Sequence, residues 1–504
     1  MMHSLVEEFG WSLYLRLNPR PSHSLSKSAQ TWSPYTQVRI NTITDRHWHQ
    51  TEFVARPLSK RWTGKLQPLL AINASRLLIA AGTLVYSYVF RPSTKASVAP
   101  SVRLECVYST SSSRNPQSDI TGLACVDDDG LDRTIFLGYD NGIIERVVLP
   151  PFRDDSRESS RETPISIDDG YRSILHFHGE DIIESLSTTS SHLLSLSSNG
   201  TAGLTPLTSA HTSPQTIELD SRSWSSYLSN RSSTPYAAFG TSDINPLTIH
   251  HIQPSHISSH PSILLSPSLN PESRPSAVYA IDVAPSFSPW GASDQIIISG
   301  WYDGFVRVHD LRSSSRLNPA HAMTSPDRPS AISLIPTLTF ADPWSFEPIY
   351  SLSSGGGSGA YIAAGSARHS VVSFFDVRKS STPTTILDAT SPTSPTTLDS
   401  PHRGGGWSVH APGNDSSPVY SLIVDGPRVY GANQSRGFVF DFGLGVQETT
   451  YPALDLQALS SQPHQRRPGR GSARHRADEE LKRSSKNPAG FYVTQYPHDR
   501  SSGF

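Results

Sequence analysis

The chain has 504 residues, 36% of them hydrophobic and 17% charged, with 40 prolines, 33 glycines and a formal net charge of −2. That balance gives no overall pull toward nucleic acid or an anionic membrane, and no apolar run approaches the roughly 18 residues of a membrane span. Cys106 and Cys125, the two cysteines, are too few for a disulfide framework or a four-thiolate zinc site, so a soluble protein of a reducing compartment, cytoplasm or nucleus, is expected.

In chain order, Met1 to Trp11 carries Glu7 and Glu8 and lacks a cationic leader, so no secretory signal is expected. From Ser22 to Gln67 the chain is polar, with Trp32, Trp48 and Trp62 placed irregularly. Residues 1–61 are expected to form an extended, linker-like region ahead of the repeats, and sparse Lys and Glu along the whole chain argue against long helices.

A recurring unit then takes over: a β-rich apolar run, a Gly, Asp or Asn turn, and a second alternating run. It occurs at residues 77–90, 134–149, 191–204, 236–252, 296–312, 361–378 and 429–441. The fifth copy is the clearest. Ile296, Ile297 and Ile298 read as a buried strand, Asp303-Gly304 as a tight turn, and Phe305 to His309 as the return strand. Asp140, Asn199, Asp303 and Asn433 are expected to hold such turns structurally. His309-Asp310 stands where a WD repeat carries Trp-Asp, and the layout resembles that repeat. The expected fold is therefore all-β, a WD-type β-propeller of about seven irregular blades over residues 62–445. Gly300 to Gly365 spans 65 positions and Gly365 to Gly431 spans 66, against about 40–45 for a standard blade. The excess is expected in disordered inserts such as residues 380–406, which hold Ser391-Pro392, Ser394-Pro395 and Ser400-Pro401. Those serines suit proline-directed kinases. Residues 446–504, with Arg466, Arg467 and Arg470, read as a disordered basic tail; interleaved Asp478 and Glu479 weaken a nucleic-acid role.

Catalytic chemistry is poorly represented. Gly355-Gly356-Gly357-Ser358-Gly359 lacks the spacing of a nucleophile elbow and has no Lys for a phosphate loop. His47 and His49 could share one strand face toward a metal, yet no second ligand pair is evident, and His176 with His178 and His250-His251 read the same way. Asp127-Asp128-Asp129-Gly130 has Gly138 where a calcium loop needs its final Glu. No catalytic residue, cofactor or metal is expected. Recognition of a protein or peptide is.

Three stretches resemble the F-box/WD-repeat protein 4 family. They run from Trp62 through Leu84-Val85-Tyr86-Ser87-Tyr88-Val89-Phe90-Arg91-Pro92, from Gly300-Trp301-Tyr302-Asp303 through Asp310-Leu311-Arg312, and from Ser417-Pro418-Val419-Tyr420-Ser421-Leu422 through Phe440-Asp441-Phe442. The resemblance implies a substrate receptor of a Skp1–cullin–F-box ubiquitin ligase, in which an F-box docks Skp1 and the propeller holds the substrate. Nothing before Trp62 supplies the F-box helices, and Leu5 to Leu17 resembles only the linker behind such a module. The chain is therefore expected to be a shortened product or to work without Skp1. As an alternative, His309-Asp310-Leu311-Arg312 and Phe375-Asp376-Val377-Arg378 resemble the Asp-x-Arg boxes that dock on damaged-DNA-binding protein 1 of cullin-4 ligases. Arg312 and Arg378 would then be the partner-binding residues. A scaffold without any ubiquitin connection is the third possibility.

Overall fold

The structure, a computed structural model, describes residues 9–498 apart from 94, 96–97, 112–117, 152–162, 208–213, 230–233, 254–255, 268–273, 286–292, 314–330, 380–404, 413–415, 453 and 455–492. The Ser-Pro sites at Ser391, Ser394 and Ser400 and the arginines Arg466, Arg467 and Arg470 lie outside the described residues. The rest is almost all β-structure, and no described helix is long and apolar enough to cross a membrane.

Each of the seven hairpins read from the sequence forms the central pair of a four-stranded antiparallel unit. The first strands of these units are Leu69–Ile72, Ile120–Cys125, Ile183–Thr188, Ser223–Leu228, Ser276–Val283, Ile349–Gly355 and Val419–Asp425. The fourth and fifth units are continuous, because Ser242 and Asp243 pair with Ala277 and Ser276. First strands touch one another in succession, and Val419–Asp425 in turn touches Leu69–Ile72. Apolar clusters fill the spaces between consecutive units. One of them joins Ile298, Val306 and Val308 of the fifth unit to Ile349, Ile362 and Phe375 of the sixth. Another joins Leu77, Ile79 and Tyr88 of the first to Tyr430 and Val439 of the seventh.

The units approach closely at a repeated position. A Cβ placed on Gly138 would lie 2.5 Å from Ile183 Cγ2, one on Gly300 2.6 Å from Ile349 Cγ2, and one on Gly365 2.8 Å from Val419 Cβ. At Gly240 the nearest atoms are Ser225 Oγ at 2.3 Å and the Val278 carbonyl at 2.4 Å. Glycine is required there for room and not for backbone freedom.

The amino-terminal region departs from the extended segment expected of it. Its described residues include three helices, α1 (Trp11–Leu17), α2 (Ser26–Ala29) and α3 (Pro34–Gln50). Ser33 caps α3, its Oγ accepting from Thr36 N at 3.3 Å, and Pro34 opens the first turn. Ile40, Thr44 and Trp48, four apart, form its buried face. Trp48 is 1% exposed, stacks on Phe442 at 3.9 Å and on Tyr361 at 4.9 Å, and lies where a Cβ on Gly356 would fall, 2.5 Å away. The glycine loop at residues 355–359 is thus the seat of an indole. Val54–Pro57 follows and pairs with Gly437–Asp441 as the fourth strand of the seventh unit. The sheets accordingly begin at Val54, ahead of the expected boundary at residue 62. Near the other terminus Gln495–Pro497, within the tail expected to be disordered, adds a strand beside Gly406–His410.

Gly300→Ala should lose about 1–3 kcal/mol by overpacking against Ile349. Its cost should shrink in an Ile349→Ala background, since the two residues share one contact; strictly additive losses in a denaturation cycle would show that this contact does not limit the approach. His309 is fully buried with Nε2 3.2 Å from the Ser266 carbonyl, and burial, with Arg307 nearby, pushes its pKa down to about 3. Below about pH 6.5 the unfolded chain takes up a proton that the folded chain refuses. Stability from this group is whole above that pH and falls as the pH drops toward 3. His309→Gln should flatten the pH dependence by up to about 1.4 kcal/mol per unit, measured by denaturation near neutrality and in mild acid.

Candidate functional site

Six of the seven first strands break register against their second strand at one position. The residues thrown out of the ladder are Thr121, Glu184, Trp224, Tyr279, Tyr350 and Tyr420. A bulge re-aims a side chain away from the pleat. In four of these strands the preceding residue packs against the neighbouring unit: Ile183, Val278, Ile349 and Val419 meet the glycine positions described above. The residue that follows is then held toward the space between the first strands.

That space is one cavity of about 670 Å³, lined by residues of all seven first strands or the turns beside them. One side is aromatic. Trp224 meets Tyr279 edge-on at 4.9 Å, Tyr279 meets Tyr350 at 5.0 Å, and Tyr350 lies 6.1 Å from Tyr420. Tyr302, 58% exposed, extends the arc outward at 6.4 Å from Tyr279. The Arg222 guanidinium sits 4.3 Å above the Trp224 ring and is held by the Glu184 carboxylate. Burial raises the pKa of Glu184 despite Arg222, and burial with neighbouring tyrosines raises that of Tyr279. The arrangement offers aromatic faces, hydroxyls and a tethered ion pair, which suits binding.

Below the bulges, first strands lack a ladder partner on one edge, and side chains of the preceding unit satisfy their amides. Ser226 N and Leu228 N donate to Ser185 Oγ and Ser187 Oγ at 3.1 and 2.9 Å; Val424 N donates to Ser353 Oγ at 3.0 Å; Leu70 N donates to Ser421 Oγ at 3.2 Å. Ser354 N donates to the half-buried Asp282 carboxylate at 2.6 Å, and desolvation raises that carboxyl to about 6. The far ends of these strands face the amino-terminal segment across a second cavity of about 870 Å³. Asp425 there accepts from Ser22 Oγ at 3.0 Å, His23 N at 2.5 Å and Ser24 N at 2.9 Å. The helices therefore cover that end, and the bulged residues occupy the other.

The residues singled out from sequence fall elsewhere. Asp140 lines the edge of the mouth, and Asn199 bonds to Asp181 through its amide. Asp303 accepts from Phe305 N at 3.2 Å and grips Arg307 with both oxygens at 3.0 and 2.7 Å. Asn433 is buried, its Oδ1 accepting from Ser435 N and Arg436 N, each at 3.0 Å. Arg312 and Arg378 stand past the ends of third strands, at the end opposite the mouth. Each forks onto the Asp two residues earlier, Arg312 on Asp310 at 2.8 and 2.9 Å and Arg378 on Asp376 at 2.8 Å twice. His47 and His49 lie on a helix, not a strand, and His47 Nδ1 is 2.8 Å from the Phe442 carbonyl. His178 Nε2 is 2.8 Å from Ser195 Oγ, and Asp128 accepts three backbone N–H groups of its own loop. Among the described residues no group of three His, Cys, Asp or Glu is placed to hold a metal.

The bulged residues lie outside the seven hairpins, although they leave a trace in the sequence. Val278-Tyr279-Ala280, Ile349-Tyr350-Ser351 and Val419-Tyr420-Ser421 repeat a branched, aromatic, small triplet, and Ser223-Trp224-Ser225 approximates it.

Asp303→Val should lower stability by about 1–3 kcal/mol, because the largely buried Arg307 would lose its counter-charge. An unchanged denaturation midpoint would remove Asp303 from the fold's supports. No family model matches the chain and no curated protein matches it in sequence.

Proposed function

We propose that the seven units make a WD-type β-propeller that binds a protein segment at the mouth where the first strands begin, as the receptor subunit of a Skp1–cullin ubiquitin ligase. The cavity shared by all seven first strands, with a bulged side chain from six of them turned toward it, carries the recognition part of this reading. Trp, Tyr and Arg are the residues that most often dominate protein interfaces, and they are the ones concentrated here. Glu184 is committed to Arg222, which favours holding a ligand over transforming it.

Attachment to the ligase belongs at the other end. Phe9, Leu13 and Leu17 are 70, 46 and 70% exposed and lie four residues apart. An apolar helix face of this kind is what an adaptor or helical module would cover. The Asp-x-Arg alternative is less favoured, because both guanidinium forks already grip their own aspartates.

Affinity capture of the full chain from cells tests the assignment. Skp1 recovered with the wild type, lost with Leu13→Asp plus Leu17→Asp and kept with Tyr279→Leu plus Tyr350→Leu, would show that the exposed helix face takes the place of the F-box helices that the residues before Trp62 lack. Recovery of damaged-DNA-binding protein 1, lost on Arg312→Ala plus Arg378→Ala, would transfer the chain to cullin-4 ligases. Recovery of neither would leave a binding scaffold outside the ubiquitin system.

A further inference from the structure

The antiparallel order of the units brings two kinds of residue to the mouth end besides the bulges: those just before each first strand and those in the turn between second and third strands. In the second, third and fourth units these positions are strongly acidic. Asp119 precedes Ile120, Glu180 and Asp181 precede Ile183, and Asp220 precedes Ser223. Asp140 and Asp243 occupy the turns or strand ends of the second and fourth units. Asp119, Glu180, Asp220 and Asp243 are exposed. Among the described residues at these positions in those three units, Arg222 is the single opposing cation, and it is tied to Glu184. The carboxylates that do have partners meet neutral groups. Asp181 bonds the Asn199 amide, and Asp243 accepts from Ile244 N at 2.6 Å. Their charge stays uncompensated.

The aromatic arc begins in the fourth unit, where this acidic arc ends, and runs on through the fifth, sixth and seventh. Aromatic faces attract cations through the ring quadrupole, and Arg and Lys are the side chains that use this. One such seat is already taken from within the molecule, by Arg222 over Trp224 at 4.3 Å. The internal pair shows the geometry a guanidinium adopts on this wall. An anionic segment, a phosphopeptide included, would meet six carboxylates along the second to fourth units, where the one guanidinium is already neutralised by its neighbour; the cations Lys65 and Arg274 belong to the first and fifth units, outside this arc.

We propose that the mouth takes a basic protein segment, with an arginine or lysine side chain seated against Tyr279, Tyr350 and Tyr420 and flanking cations facing the acidic rim of the second to fourth units. This deepens the recognition reading above and rests on it. The two halves of the mouth would divide the labour. Long-range attraction from the acidic rim speeds encounter and weakens with salt, while the aromatic arc holds the desolvated cation.

Fluorescence polarisation of the full chain with labelled short peptides tests this, using alternating Arg-Ala, Lys-Ala, Glu-Ala and phosphoserine-Ala sequences. The Arg-Ala and Lys-Ala peptides should bind, and the anionic ones should not. Tyr279→Leu plus Tyr350→Leu should weaken binding about tenfold, and Asp119→Asn plus Asp140→Asn should weaken it and flatten its salt dependence. An unchanged denaturation midpoint shows that each variant is folded. Tighter binding of an anionic peptide, or Arg-Ala binding indifferent to both sets of variants, would overturn the proposal. The cellular partner separates the two layers. If it is lost with Tyr279→Leu plus Tyr350→Leu but not displaced by excess Arg-Ala peptide, the mouth is the site and the basic ligand is wrong. If it survives those substitutions, the mouth itself is wrong.

Discussion

The closeness with which one sheet meets the next governs the rest of the molecule. At Gly138, Gly300 and Gly365 a branched side chain of the following unit occupies the space where a Cβ would stand. Interiors pack at near-crystalline density, so even one added carbon must displace something. That contact fixes the first strand of the next unit along its length, and the bulge comes one residue later. Packing and presentation are therefore one device. Ile349 is locked against the fifth unit, and Tyr350 is delivered to the mouth because of it.

A second constraint acts at the ends of the chain. The seventh unit takes its fourth strand from Val54–Pro57, so residues near 54 and residues near 441 must come together before that sheet is complete. Trp48 reinforces the junction by stacking between Tyr361 and Phe442, with Phe374 and Trp407 beside it. Contacts this distant in sequence close large loops and form slowly. Loss of this junction would strip the last unit of a strand and leave two apolar faces open, which couples the amino-terminal helices to the whole array.

The two ends of the first strands differ because their polar groups find different partners. At the mouth, hydroxyls and aromatic rings stand half-buried around a cavity. At the far end Asp425 is saturated by the backbone of residues 23 and 24 and by Ser22. Along the wall between them, Ser and Asp side chains supply the acceptors that the strand edges lack. The abundance of serine has a local explanation here, since a short hydroxyl can reach a neighbour's amide without crowding the axis.

The seven hairpins could be read from the chain because alternation and turn chemistry are local properties, and 296–312 shows both within seventeen consecutive residues. The first strands are not legible in this way. Their bulges shift the alternation by one residue, which moves Tyr279 or Tyr350 to the wrong face of any period-2 template. Helix α3 is announced by Ser33-Pro34 and the spacing of Ile40, Thr44 and Trp48, but its polar composition and narrow buried face make the same residues resemble a linker. The mouth is another matter. Trp224, Tyr279, Tyr350 and Tyr420 are separated by scores of residues and become neighbours only when each sheet has packed on the last, so no local pattern contains them. Local periodicity wrote the sheets; their side-by-side packing assembled the site.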